Sequence, residues 1–176
     1  DGPRWLAGLR RAEGIALSPG ARRIVVADTH NQALRDLTGA QQTLRTLAGQ
    51  PGQRGTKDGP ALEALLDRPR APVFLGDALY FQTNRGARLR QLRDGVVSTV
   101  EPPRSSWRRI GGLRAHDGAL WILDDGRRIL RWDPATDAAT VAAERDTRAF
   151  DVAPDGRLFI VDGQNRVWLH PADGSA

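Results

Sequence analysis

The chain has 176 residues, 40% of them hydrophobic and 27% charged, which suits a globular domain with a sizeable core. Cysteine is absent, so disulfides, thiolate metal sites and cysteine nucleophiles are excluded. The net charge of +5 comes almost wholly from arginine, since Lys57 is the only lysine, and the arginines are scattered rather than gathered into a tract.

The chain starts at Asp1 rather than Met, as a processed product or a fragment would, and carries no signal- or transit-peptide pattern. No apolar run approaches the roughly 18 residues that would mark a membrane-spanning helix. The compartment is left open, and no membrane partner is expected. Residues 1–17 align without gaps to residues 58–74, at an offset of 57. In both copies Asp-Gly-Pro comes first. Asp58 can cap a helix and Pro60 suits its first turn, so this spacing predicts a short helix after each Asp-Gly-Pro, with Leu62, Leu65 and Leu66 on one face.

The first repeat continues with Gly14–Leu17, a Ser18-Pro19-Gly20 turn and the apolar run Ile24–Ala27 ending at Asp28. After the polar turn Thr29-His30-Asn31, strands are predicted over Ala33–Thr38 and Thr43–Leu47. A Gly/Gln-rich surface loop then fills 48–58. The second repeat reads as strands over Pro72–Leu75, Leu79–Thr83, Arg88–Leu92 and Val96–Val100, with Asp94-Gly95 as a strong hairpin signal. Pro102 to Ser106 forms the next linker. Strands at Ile110–Ala115, Leu120–Leu123, Arg128–Trp132 and Thr140–Ala142 make the third repeat. Phe150–Ala153, Leu158–Val161 and Val167–Leu169 make the fourth, which stops short of a fourth strand.

The position held by Asp28, Thr83, Asp124 and Asp162 recurs at spacings of 55, 41 and 38 residues, in the range of propeller repeats. The second strand of each repeat is nearly all apolar, as expected of a strand covered on both faces. The chain is therefore expected to be all-β, a β-propeller of four-stranded antiparallel blades. About four blades are visible, with repeats near 1–57, 58–106, 107–147 and 148–176. Trp121, Trp132, Trp168 and Phe159 are expected to pack between blades.

These phrases resemble NHL-type β-propeller repeats. Ile24 to Arg35 is similar to the family's strand–Asp–turn–Asn–strand signature, and Thr46 to Gly49, with Gly52, Gly55 and Asp58-Gly59-Pro60, is similar to the inter-blade linker of its bacterial, thioredoxin-linked members. The match is strong in the first repeat and moderate in the fourth. Thr83 in place of Asp weakens it in the second, and Gly126-Arg127-Arg128 in place of the Asn turn weakens it in the third. The resemblance implies six blades where this chain holds fewer than four. Three accounts follow: a part of a larger ring, two copies joined through open blade edges, or a four-bladed ring closed by Arg4 to Gly8 as the missing strand. The last competes with the helical reading of Pro3 to Leu9.

Residues with chemistry are few. His30, His116 and His170 fall in separate loops outside any catalytic motif, so neither a catalytic set nor a metal or cofactor site is assigned. Asp124-Asp125-Gly126 is followed by no twelve-residue calcium loop and reads as a turn cap. Asp28, Asp124 and Asp162 should hold the turns that follow them by accepting backbone N–H bonds. The candidate binding residues are Asp28, His30, Asn31, Thr83, Arg85, Asp124, Asp125, Asp162 and Asn165, expected on one face. The expected function is a non-catalytic scaffold for a protein or small ligand, with self-assembly as the alternative. A metal-dependent hydrolase or lyase and a single-strand RNA binder are more distant alternatives. For the last, Arg85, Arg88 and Arg90 group in one blade, and Arg108 and Arg109 adjoin Trp107.

Overall fold

Strands that are apolar on both faces must be sandwiched, and the second strand of each repeat lies in the interior of an antiparallel sheet. The computed structural model describes residues 1–3, 8–38, 43–101 and 107–171. The chain divides into two compact units, Asp1–Glu101 and Pro102–Ala176, each holding two sheets.

In the first unit, blade 1 consists of β1 (Gly2–Pro3), β2 (Ile15–Leu17), β3 (Ile24–Asp28), β4 (Ala33–Asp36) and β5 (Thr43–Ala48), in the spatial order β1-β5-β4-β3-β2. Blade 2 repeats the arrangement with β6 (Gly59–Pro60), β7 (Arg70–Leu75), β8 (Ala78–Thr83), β9 (Arg88–Arg93) and β10 (Val96–Val100), in the order β6-β10-β9-β8-β7. Every residue of β8 is buried. The two blades share one core, in which Val25, Ala27 and Leu34 of blade 1 meet Leu79, Phe81 and Leu92 of blade 2. They approach closely at Gly49, whose N–H donates to Ala61 O at 2.8 Å. A Cβ there would stand 2.5 Å from Gln32 O, so only glycine fits.

In the second unit, blade 3 comprises β11 (Ile110–His116), β12 (Ala119–Asp124), β13 (Arg128–Asp133) and β14 (Ala138–Glu144), paired in that order. Blade 4 comprises β15 (Ala149–Val152), β16 (Leu158–Val161) and β17 (Val167–His170), three strands among the described residues. Their shared core joins Trp121, Leu123 and Ile129 to Phe150, Leu158 and Ile160, with Trp168 packed against it. Trp132 is buried edge-on against Trp107, ring centroids 5.5 Å apart. Phe159 departs from expectation: it is 42% exposed, on the sheet face turned away from that core.

The helix expected after Asp58-Gly59-Pro60 does not form, and the one expected after Asp1-Gly2-Pro3 falls on residues that include 4–7, outside the described residues. Gly2-Pro3 pairs antiparallel with Leu44-Thr43, and Gly59-Pro60 pairs with Val97-Val96, so each segment adds a short fifth strand outside the blade's fourth. Gly59 takes a φ of 135°, which carries the chain into that pairing and out of a helical path. Only one helical turn follows, closed by Ala64 N–H donating to Pro60 O at 2.9 Å. Leu62 is exposed while Leu66 is buried, so they share no face. Of the proposed closing strand Arg4 to Gly8, residues 4–7 lie outside the described residues; the segment just before it, Gly2-Pro3, is paired with β5 of its own blade.

The aspartate of each Asp-Gly-Pro clamps the blade it precedes. Asp58 Oδ2 accepts from Thr99 N–H at 2.9 Å, and its Oδ1 lies 2.5 Å from Nη2 of Arg90. The Arg90 side chain is wholly buried and also donates to Lys57 O and Leu65 O. Blade 1 reproduces the arrangement. Asp1 Oδ1 accepts from the Thr46 hydroxyl at 2.9 Å and lies 3.1 Å from Nη1 of the buried Arg35. Burial pushes the Arg90 pKa down and Asp58 opposes that shift, so the guanidinium depends on its carboxylate.

A buried charge deprived of its partner is costly, whereas an apolar replacement of the charge is cheap. Asp58→Ala should therefore lower the unfolding free energy by about 3 kcal/mol, and Arg90→Met by about 1 kcal/mol or less. Urea unfolding of the two variants and the double mutant checks this.

Candidate functional site

A strand that ends in a buried aspartate needs donors for two oxygens, and the turn that follows supplies them. Asp28, closing β3, accepts from Arg10 N–H at 2.8 Å and from the Asn31 side-chain amide at 2.9 Å, with Arg35 Nε at 3.7 Å. In blade 3, Asp124 Oδ1 accepts from the N–H groups of Arg108 (2.7 Å) and Arg109 (3.1 Å), and its Oδ2 accepts from the Arg128 guanidinium. In blade 4, Asp162 Oδ1 accepts from Gln164 N–H and Arg166 N–H, each at 2.9 Å. Its Oδ2 accepts from Arg166 Nε at 2.7 Å and Trp168 Nε1 at 2.8 Å. Burial alone would raise the pKa of Asp124 and Asp162. The converging donors outweigh it and hold both below the ordinary carboxylate range. These three carboxylates are internal fasteners.

Blade 2 lacks the fastener. Thr83 is fully buried, and its hydroxyl has no partner among the described residues. The turn after it carries Asn84 and Arg85 in left-handed conformation (φ 50° and 57°), with Arg85 exposed.

The remaining candidates sit in the turns themselves. Asn31 is drawn inward, bonded to Asp28, with its backbone carbonyl accepting from Gly52 N–H at 3.0 Å. Asn165 is exposed, at φ 62°, and accepts from Arg148 Nη1 at 2.7 Å. Asp125 is exposed and left-handed (φ 50°), and its N–H donates to Arg109 O at 2.7 Å. His30 is half-buried, its N–H donating to Arg10 O at 3.0 Å. Partial desolvation and the cations Arg11, Arg68 and Arg10 lower its pKa, with Glu13 opposing. Within the first unit, Asp28, His30, Asn31, Thr83 and Arg85 all occupy the same strand end or turn of their blades. Within the second unit Asp124, Asp125, Asp162 and Asn165 do likewise.

Sequence reasoning missed the residues that surround these ends. In the second unit a cleft of about 860 Å³ is lined by Arg108, Asp124, Asp125, Arg127, Arg128, Glu144, Arg145 and Asp146. All eight are charged. The Arg145 guanidinium lies over the Trp168 ring, its central carbon 3.7 Å from the centroid, so one wall of the cleft is held by a cation–π contact. Arg108 arrives by a structural route, because the backbone N–H groups that fasten Asp28 and Asp124 from ahead of the first strand belong to Arg10, Arg108 and Arg109. Arg-rich segments before each first strand were visible in the sequence as a signal. The pairing with aspartates 15 to 18 positions later was not. Among the described residues, no group of three or more His, Cys, Asp or Glu is disposed to hold a metal ion.

No family model matches the chain, and no curated protein matches it. Solved structures do. A chain of the nidogen/laminin complex superposes with a TM-score of 0.67 at 20% identity, over 95% of this chain and 62% of that one. A gluconolactonase from Xanthomonas campestris matches at 0.63 and 14% identity, over 90% of this chain and 56% of its own. An auxiliary nutrient binding protein from Bacteroides ovatus matches at 0.51 and 16%, over 62% and 34%. The fold is a β-propeller. At these identities the likeness carries the fold alone, and the chain spans less than two thirds of each neighbour.

Two titrations and one substitution test the site. In NMR, His30 should titrate below 6.5, and added salt should move it part of the way back as the three arginines are screened. Its neutral form is favoured in the fold, so its contribution to stability is present above pH 6.5 and is lost as pH falls below that value. Asp162 has the opposite dependence on charge: stability from its lowered pKa is full above pH 3.8 and is lost only as pH falls towards the folded value. Thr83→Val removes a buried unpaired hydroxyl at constant shape and should stabilise the first unit by up to about 1 kcal/mol in thermal unfolding.

Proposed function

We propose that the chain is a non-catalytic propeller-type binding module that engages a charged protein surface through the turns and inter-blade connections at the ends of its second strands. One observation carries this reading: every side chain lining the cleft of the second unit is charged. Sites for small organic ligands bury most of the ligand against apolar and aromatic walls. A wholly charged, open cleft has little apolar area to offer and instead favours recognition steered by electrostatics, sensitive to salt and to charge reversal. Arg108 and Arg127 line it without an ion-pair partner among the described residues, as do Asp125, Glu144 and Asp146. The surface that fits therefore carries both signs.

The catalytic alternative is disfavoured because the buried carboxylates are already committed. Asp28, Asp124 and Asp162 spend both oxygens on turn N–H groups and on Asn, Arg or Trp side chains. RNA binding through Trp107 is disfavoured because that ring is buried against Trp132 rather than offered for stacking.

The test uses acidic and basic oligopeptides as probes, read by Trp168 fluorescence through its contact with Arg145. At low salt an oligoglutamate should give a saturable signal that weakens about tenfold in Arg108→Glu with Arg127→Glu, and that falls steeply with ionic strength. No saturable signal with either peptide, or a signal indifferent to salt and to both substitutions, would overturn the proposal.

A further inference from the structure

Within each unit the first blade turns one sheet face, here called leading, toward the second, which meets it with the opposite, trailing face; register identifies the same two faces in every blade. On the leading face, the cross-strand pair Ala27–Leu34 of blade 1 corresponds to Leu123–Ile129 of blade 3 and to Val161–Val167 of blade 4. The first two pairs are buried in the shared cores of their units, against the trailing faces of blades 2 and 4. In blade 4 the same face is open, with Val167 70% exposed, Leu169 53% and Phe159 42%.

The trailing faces show the converse. Phe150–Ile160 and Val152–Leu158 of blade 4 correspond in register to Ile15–Val26 and Leu17–Ile24 of blade 1. In blade 4 Phe150, Leu158 and Ile160 are buried against blade 3. In blade 1 Ile15 is 64% exposed and Leu17 58%. Among the described residues the chain thus exposes apolar side chains on the leading face of blade 4 and on the trailing face of blade 1, faces that no blade of the same unit meets. These are the two halves of an interface that the same chain forms twice internally.

From this we infer that copies of the chain associate head to tail, the leading face of blade 4 in one copy docking on the trailing face of blade 1 in another. The occupant is fixed by correspondence. Phe159, Val167 and Leu169 take the places that Trp121, Ile129 and Arg131 hold in the second unit, and Ile15 and Leu17 take the places of Phe150 and Val152. Such an interface is heterologous: each copy uses one patch to give and a different one to receive, so association closes into a ring or continues as a filament. This inference rests on sheet faces and is independent of the charged cleft.

The heterologous geometry supplies its own test. Ile15→Asp blocks only the trailing face and Val167→Asp only the leading face. Both positions are exposed, so the fold should survive, and near-ultraviolet circular dichroism of the buried tryptophans confirms it; Leu17→Lys and Leu169→Lys serve as second variants. Light scattering at about 100 µM should give the unsubstituted chain a mass at least twice its 19.2 kDa. Each variant alone should be reduced to a monomer, with association at least tenfold weaker than that of the unsubstituted chain, because only one kind of face is left intact; a variant that still dimerises alone overturns the inference. An equimolar mixture should recover a discrete two-chain species through the one intact pair of faces. A strictly monomeric unsubstituted chain, which would mean that some other segment or protein covers these faces, overturns the inference. So does a mixture that behaves as the sum of its parts.

Discussion

A carboxylate buried at the end of a central strand is the interaction on which much of this molecule depends. The second strand of each blade is enclosed, so its end cannot be satisfied by water. The incoming first strand and the outgoing turn both expose N–H groups at that point. One aspartate resolves both problems. Its two oxygens take a backbone N–H from ahead of the first strand and a side-chain donor from beyond the second, such as Arg10 N–H and the Asn31 amide about Asp28, or Arg108 N–H and the Arg128 guanidinium about Asp124. Because the donors ahead of the strand are arginines, the same bonds deliver cations to the rim of the blade. Structure and surface charge are set by one contact.

The departures from that pattern are informative. Blade 2 substitutes Thr83 and leaves a buried hydroxyl unpaired, yet its blade is tied by a second device, the Asp58–Arg90 pair on the opposite side of the strand order. In blade 4 the position equivalent to Arg35 and Arg90 holds Trp168, whose indole N–H reaches Asp162. The register thus reserves one place beside each second strand for a long side chain with a donor at its tip. Blades 1, 2 and 4 fill it with arginine or tryptophan, and blade 3 fills it with the apolar Leu130.

Strand positions were legible in the sequence because alternation and Gly/Asp turns act over a few residues. The structure moves most strand ends by one or two positions. The recurrence of Asp28, Asp124 and Asp162 also announced their structural role. The Asp-Gly-Pro segments were misread because local propensity favours a helix start there, while pairing with strands some 40 residues away prevails. Phe159 was assigned to an interface by its type, and the register places it on an open face. The charged cleft was not legible at all. Glu144, Arg145 and Asp146 look like ordinary exposed residues until the chain turns there between β14 and β15 and sets them beside Asp125 and Arg127.

The two-residue strand that Gly59 and Pro60 lay against Val97 and Val96 fastens the last strand of blade 2 to the residues just ahead of that blade. Everything needed to lock the sheet lies upstream of its own fourth strand, in the order in which a ribosome releases it. Blade 1 has the same arrangement through Gly2 and Pro3. During synthesis, each of these sheets can snap shut once its fourth strand emerges, without waiting for the next blade. A growing chain fastened in this way shows few loose strand edges to its neighbours on the polysome.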